Sequence, residues 1–306
     1  MRRAIIEPTT DDLIDAIDRD SLKRNQDIKA FVELLDTIEG GYSFCLDGAW
    51  GDGKTFFVLQ TALVLENLNT KLDPQTKLTE AQMGQFMPSV QYLVDKPDSP
   101  CNPDYLPVYF NCWKHDSHGE PVFSLALEIA ERFGLATKDK PNVAEGICDA
   151  ADDALQPLKE IFSTAFSLYT GIPISLGNIS LKQVMESFSS QELLDAYRKR
   201  ATLEELVNRL IDGALKNRAD KIVLFIDELD RCKPGYAIAV LESIKHLFTN
   251  DKVIVVFSID SRQLAFALQG IYGPEFDGTT YLRRFFDSTV PLRPINNINY
   301  AMALAR

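Results

Sequence analysis

Gly48-Ala49-Trp50-Gly51-Asp52-Gly53-Lys54-Thr55 stands between Tyr42-Ser43-Phe44-Cys45-Leu46-Asp47 and an apolar run that opens at Phe56. The six upstream residues are β-prone and stop at the first glycine, so they read as a strand entering a turn. Downstream, Phe57, Leu59, Leu63 and Leu65 keep helical spacing through Leu68. The order is strand, glycine loop, helix, and in that context the eight residues satisfy G-x-x-x-x-G-K-[ST]. Glycines let the chain curl closely around a polyphosphate, while main-chain N–H groups and the positive end of the helix favour an anion. Gly48 to Phe56 is therefore the expected nucleotide-binding surface. Lys54 is expected to reach the β- and γ-phosphates, and the Thr55 hydroxyl to be a Mg²⁺ ligand.

Such chemistry needs the metal anchored from a second strand. Lys221-Ile222-Val223-Leu224-Phe225-Ile226 is apolar without alternation after its first residue, as in a parallel strand covered on both faces, and Asp227 ends it. Asp227 is expected to hold Mg²⁺ through water, and Glu228 to polarise the attacking water as general base. Arg231 is expected to pair with Asp230, with a bridge from the acidic loop to phosphate as the alternative. Further strands are predicted at Pro107 to Cys112 and Val253 to Phe257, with helices at Val122 to Phe133, 201–219 and Pro234 to Phe248. Residues 11–38 predict one or two helices, and 69–105 read mostly as connection with room for one short helix. This alternation gives an α/β fold, a central and mostly parallel sheet flanked by helices.

Composition agrees. The chain has 306 residues, enough for one large domain or two small ones burying about three quarters of the unfolded surface. With 45% hydrophobic and 25% charged residues it is neither low-complexity nor wholly disordered. Its net charge of -12 opposes non-specific attraction to nucleic acid or an anionic membrane, so neither is an expected partner. The N-terminus lacks the long apolar run of a signal, and five scattered cysteines do not suggest a disulfide framework. A cytoplasmic location is expected.

Phe225-Ile226-Asp227-Glu228-Leu229-Asp230-Arg231-Cys232-Lys233-Pro234, followed by Leu241-Glu242-Ser243-Ile244-Lys245-His246-Leu247-Phe248, closely resembles the KAP family of P-loop NTPases. Trp50 to Thr55, Phe110-Asn111-Cys112-Trp113-Lys114, Tyr272-Gly273 and Tyr281-Leu282-Arg283-Arg284-Phe285-Phe286 resemble the same family in the same order, over about 19–294. The resemblance implies a STAND-like, AAA+-related NTPase, with ATP favoured over GTP by family likeness alone. It implies a domain over 41–294 with a helical insertion at about 134–219, after an N-terminal helical segment at 1–40. Family members usually continue beyond the equivalent of 295–306, so a truncated or missing C-terminal region is expected. Asp260, with Ser258 as the alternative, matches the polar sensor of the γ-phosphate, against a plain role as strand-end cap. Arg283 and Arg284 are candidate fingers acting across a subunit interface, against a solvated basic pair. The implied function is a nucleotide-driven switch in phage defence or signalling, with self-association or an effector as partner. The rivals are a nucleotide-binding scaffold with little hydrolysis and a membrane-tethered signalling module.

Other features point to simpler roles. Cys112, His115 and His118 have ligand-like spacing without an obvious fourth ligand, so zinc is not expected. Trp113 reads as an apolar anchor under the sheet. Ile161 to Leu181 carries no charge over a membrane-spanning length, yet it contains Gly171, Pro173 and Gly177 and reads as a buried helix followed by a loop. Arg198, Lys199 and Arg200 read as a solvated helix end.

Overall fold

A computed structural model describes residues 8–72, 78–94, 103–116, 121, 124, 125, 128, 129, 208, 211–247 and 250–294. Helices α1 (Thr10–Asp18) and α2 (Asn25–Asp36) precede strand β1 (Tyr42–Asp47) and helix α3 (Lys54–Leu68). Helix α4 (Glu80–Val94), strand β2 (Tyr105–Asn111) and the single turn α5 (Cys112–His115) follow. After β3 (Lys221–Asp227) and a 3₁₀ turn at Leu229–Arg231 come α6 (Pro234–Leu247), β4 (Val253–Ile259), α7 (Ser261–Tyr272), α8 (Gly278–Leu282) and β5 (Ser288–Pro291).

The five strands form one sheet in the order β2-β3-β4-β1-β5, and every pairing is parallel. From β1 the chain steps back across β4 and β3 to β2, whereas all later steps run the other way. Right-handed crossovers then require α3 on one face and α6 and α7 on the other. The core divides in that way. Phe44, Phe225 and Val256 pack with Phe57 and Val58 of α3. Leu224, Ile226 and Val255 pack with Val240 of α6 and Leu268 of α7. Alternate residues of β3 and β4 thus enter opposite cores, which is why neither strand alternates in polarity. Helix α3 is apolar on most sides, and α1 and α2 cover the side turned away from the sheet.

Several expectations need correction. The stretch 69–105, read mostly as connection with room for one short helix, contains the fifteen-residue α4. Its polar residues lie along α1: Gln82, Gln85 and Ser89 donate to Asp11, Asp15 and Asp18 over 2.7–2.8 Å, while Phe86 is buried. Periodic polar contacts between helices leave no apolar rhythm to read. Trp113 is no anchor under the sheet. It is 46% exposed, with the Arg231 guanidinium 5.9 Å above its ring. Of the 122–133 helix only Ser124, Leu125, Glu128 and Ile129 are described, all helical, and 211–215 are helical within 201–219. Most of the predicted insertion, His118, Ile161 to Leu181, Arg198 to Arg200 and 295–306 lie outside the described residues. Among the described residues, no helix is long and apolar enough to cross a membrane.

Helix α8 lies against α7 at Gly278, where an added Cβ would stand 2.4 Å from the Ala265 carbonyl oxygen and 2.9 Å from its Cα. Both obstacles are main chain and cannot swing aside. Gly278→Ala is expected to lower the denaturant midpoint by the equivalent of about 1–3 kcal/mol with an unchanged slope. An unchanged midpoint contradicts this packing.

Candidate nucleotide site at the carboxyl edge of the sheet

Strand β1 delivers the glycine loop to the carboxyl ends of the strands, where α/β sheets bind ligands. The Gly48 N–H donates to Ile259 O on β4, which fastens the loop's first residue to the sheet. Within the loop, Asp52 N–H donates to Ala49 O over 3.2 Å, and the Asp52 carboxylate accepts from Ala49 N–H over 2.8 Å. Gly51 (φ 92°) and Gly53 (φ 73°) supply the left-handed backbone this tight curl requires. Gly53 is also the N-cap of α3 and provides no side-chain acceptor, so no cap side chain competes with an anion for the first amides of α3. Lys54 is buried, with its ammonium donating to Gly48 O over 2.8 Å and Ala49 O over 3.2 Å. The Phe56 side chain packs into the α3 core, leaving its main chain at the helix start.

The second motif meets the first directly. Thr55 Oγ1 donates to Asp227 Oδ2 over 2.7 Å, and the Tyr109 hydroxyl donates to the same oxygen over 3.0 Å. Asp227 is 1% exposed and forms no ion pair with a protein cation among the described residues. Burial, reinforced by the Asp227 charge, pushes the Tyr109 phenol well above its ordinary value and keeps it a donor.

Glu228 is buried in a left-handed conformation (φ 60°). Its Oε2 accepts from Asn111 Nδ2 over 3.2 Å and its Oε1 faces Arg231 Nη1 at 3.1 Å. Burial raises its pKa above the ordinary glutamate value, although Arg231 and Asn111 oppose the shift. The expected Arg231–Asp230 pair does not form. The 3₁₀ turn brings residues 228 and 231 to one side, and Asp230 instead accepts from the Trp50 indole of the loop.

On β4, Ser258 stands in register with both Asp227 and Leu46, on the face that Ile254 and Val256 turn to α3. It is fully buried, and its hydroxyl has no hydrogen-bond partner among the described residues. Asp260 caps α7 by accepting from Gln263 N–H over 3.1 Å. Arg283 and Arg284 are exposed on the α8 side. Arg283 acts electrostatically on Asp277, and Arg284 lies 5.9 Å over the Tyr281 ring. Asp287, just beyond them, bonds Ser43 at the opposite end of β1 from the loop, about 13 Å away by strand rise. Neither arginine forms a hydrogen bond, ion pair or ring contact with the glycine loop among the described residues.

Four contributors escaped the sequence reading. Asp47 accepts from the N–H and hydroxyl of Ser261 over 2.9 Å each, tying β1 to α7. Tyr109 and Asn111 share β2, and Asn111 lay within the quoted Phe110 to Lys114 match, which is the signal that could have found it. Arg24 carried no signal, yet it is buried, pairs with Asp27 at 3.1 Å, donates to Asp52 O over 3.0 Å and also reaches Arg293 O. Cys112 is buried beside Cys232, with its thiol pushed well above the ordinary value by burial. His115 stacks on Phe110 and meets Glu128 at 3.1 Å. Among the described residues no group of three or more histidine, cysteine, aspartate or glutamate side chains is placed to hold a metal ion.

A family model described as the KAP family P-loop domain matches residues 24–305. Among solved structures, the ORC2 protein of Aeropyrum pernix in ADPNP–ADP complexes is similar at 12% identity with a TM-score of 0.37. That likeness covers 100% of this chain and 54% of the other, so this chain spans about half the length of that relative, and it is too distant to add to the fold argument. No curated protein matches the chain. With the motif, the sheet and the family match in agreement, the chain belongs to the KAP family of P-loop NTPase domains, which bind nucleotides.

Proposed function

We propose that the chain is a Mg²⁺-dependent nucleoside triphosphatase, preferring ATP to GTP, that works as a nucleotide-driven switch. The observation that carries this reading is the 2.7 Å bond joining Thr55 to Asp227. A threonine hydroxyl whose proton is committed to a carboxylate offers its lone pairs to a cation. Asp227 brings a buried negative charge without a protein cation among the described residues, and hard oxygen donors of this kind fit Mg²⁺. Thr55 and Asp227 would hold Mg²⁺, which when bound would supply positive charge to offset the charge of the polyphosphate.

The remaining work falls to side chains and amides. The loop N–H groups and the start of α3 hold the phosphates, and Lys54 exchanges its two carbonyl acceptors for phosphate oxygens. Glu228 takes the proton of the attacking water, and burial gives it more basicity than an exposed glutamate. Ser258, buried beside Asp227 with an uncommitted hydroxyl, suits the γ-phosphate side better than Asp260, whose carboxylate already caps α7. Arg283 and Arg284 would serve the loop of a neighbouring copy, with self-association or an effector reading the switch. The KAP resemblance supplies phage defence or signalling as its setting, in the cytoplasm.

A second reading is a scaffold that binds nucleotide and scarcely hydrolyses it. Both Glu228 oxygens are engaged, by Asn111 and Arg231, and a base so held must release a partner before it accepts a proton.

Thermal unfolding separates the loop assignment from chance. ATP with Mg²⁺ at about 100 times Kd adds about 2.7 kcal/mol, so the wild-type midpoint is expected to rise by several degrees and Lys54→Ala to respond far less. An equal rise in both refutes the assignment. Steady-state hydrolysis separates enzyme from scaffold: Glu228→Gln is expected to keep nucleotide affinity and lose about 100-fold or more in kcat, whereas a scaffold has no turnover to lose. Protonated Glu228 accepts no proton, so the wild-type rate is expected to fall as pH drops through a value above the ordinary glutamate range. A rate that holds steady down to that ordinary range excludes Glu228 as base.

A further inference from the structure

The two donors to Asp227 converge on one oxygen. Thr55 reaches Oδ2 from the first turn of α3 and Tyr109 reaches it from β2, while Oδ1 receives no hydrogen bond among the described residues. The tyrosine can do this because of strand register. Tyr109 stands opposite Phe225 and Asn111 opposite Asp227, so the phenol spans a diagonal of two residues on the face the two side chains share. Long aromatic side chains cover that separation. A carboxylate turns about a single soft torsion, and two donors arriving from different elements fix it. Thr55 alone would restrain that torsion through one hydrogen bond in place of two.

We propose that Tyr109 is a positioning residue for the metal. It holds the Asp227 carboxylate with Oδ2 committed, so that Oδ1 is the acceptor presented to the water shell of nucleotide-bound Mg²⁺. This rests on the reading of Asp227 as the metal anchor. Tyr109 touches neither nucleotide nor metal, and its effect passes through Asp227, as second-layer partners orient ligands at other metal sites. The same bond shares the burden of a carboxylate that is almost wholly removed from water.

The test titrates Mg²⁺ against a fluorescent, non-hydrolysable ATP analogue held by wild type and Tyr109→Phe, with a parallel arm in chelator. The phenylalanine keeps the ring and removes only the donor. Analogue affinity in chelator is expected to be unchanged, while the Mg²⁺ concentration for half-maximal tightening rises about tenfold or more. An unmoved Mg²⁺ midpoint overturns the proposal, as does an equal loss of affinity in both arms, which is what general loosening of the fold produces. Adding Tyr109→Phe to Asp227→Asn is expected to change the midpoint no further, and a full additive shift overturns the route through Asp227. If wild type binds the analogue but shows no tightening with Mg²⁺, the anchor reading fails first and this proposal falls with it.

Discussion

The bond from Thr55 to Asp227 joins two strands that never pair. Strand β4 lies between β1 and β3, so the carboxyl ends of the two motif-bearing strands are separated by two strand spacings, about 10 Å. Helix α3 closes that distance. It leaves the loop over the face on which Asp227 projects, and its first turn sets the Thr55 hydroxyl against the carboxylate. Ser258 lies on the strand beneath the bond, which explains its burial in the sheet centre at the level of both motifs. Strand order, crossover hand and the apolar surface of α3 all serve to make this one contact possible.

Around it the charges are distributed unevenly. Glu228 has Asn111 and Arg231, Asp230 has the Trp50 indole, Asp47 has Ser261 and Asp260 has the start of α7. Asp227 has two neutral hydroxyls and no protein cation among the described residues, although it is the most buried of the group. An incompletely compensated carboxylate at that depth is costly unless a cation joins it, and a bound polyphosphate carries one in. The loop is braced from outside the sheet as well. Arg24, at the start of α2, holds the Asp52 carbonyl and the chain just beyond β5, so the segments before and after the sheet meet at the loop.

The legible parts of the fold were those with local causes. Glycines with positive φ mark the loop, and β3 and β4 showed as unbroken apolar runs because both their faces are covered. Lys54, Thr55, Asp227 and Glu228 could be named from patterns that put the first two at a helix start and the last two where a strand ends. What could not be read depends on partners distant in sequence. The Tyr109 role needs the register of β2 on β3, and the Arg231–Glu228 pair needs the turn geometry that sends Asp230 to Trp50. Helix α4 hid behind polar contacts to α1. Strand β5 is four residues long on the sheet edge, where Pro291 is tolerated and little apolar signal builds up.

Anomalous diffraction from crystals grown with Mn²⁺ and a non-hydrolysable triphosphate tests the central contact most directly. A single strong peak at coordination distance from Thr55 Oγ1, joined to Asp227 through water, with the phosphates inside the Gly48 to Thr55 curl, is the predicted result. Phosphate density away from that curl, or a metal peak that touches neither residue, would contradict the account.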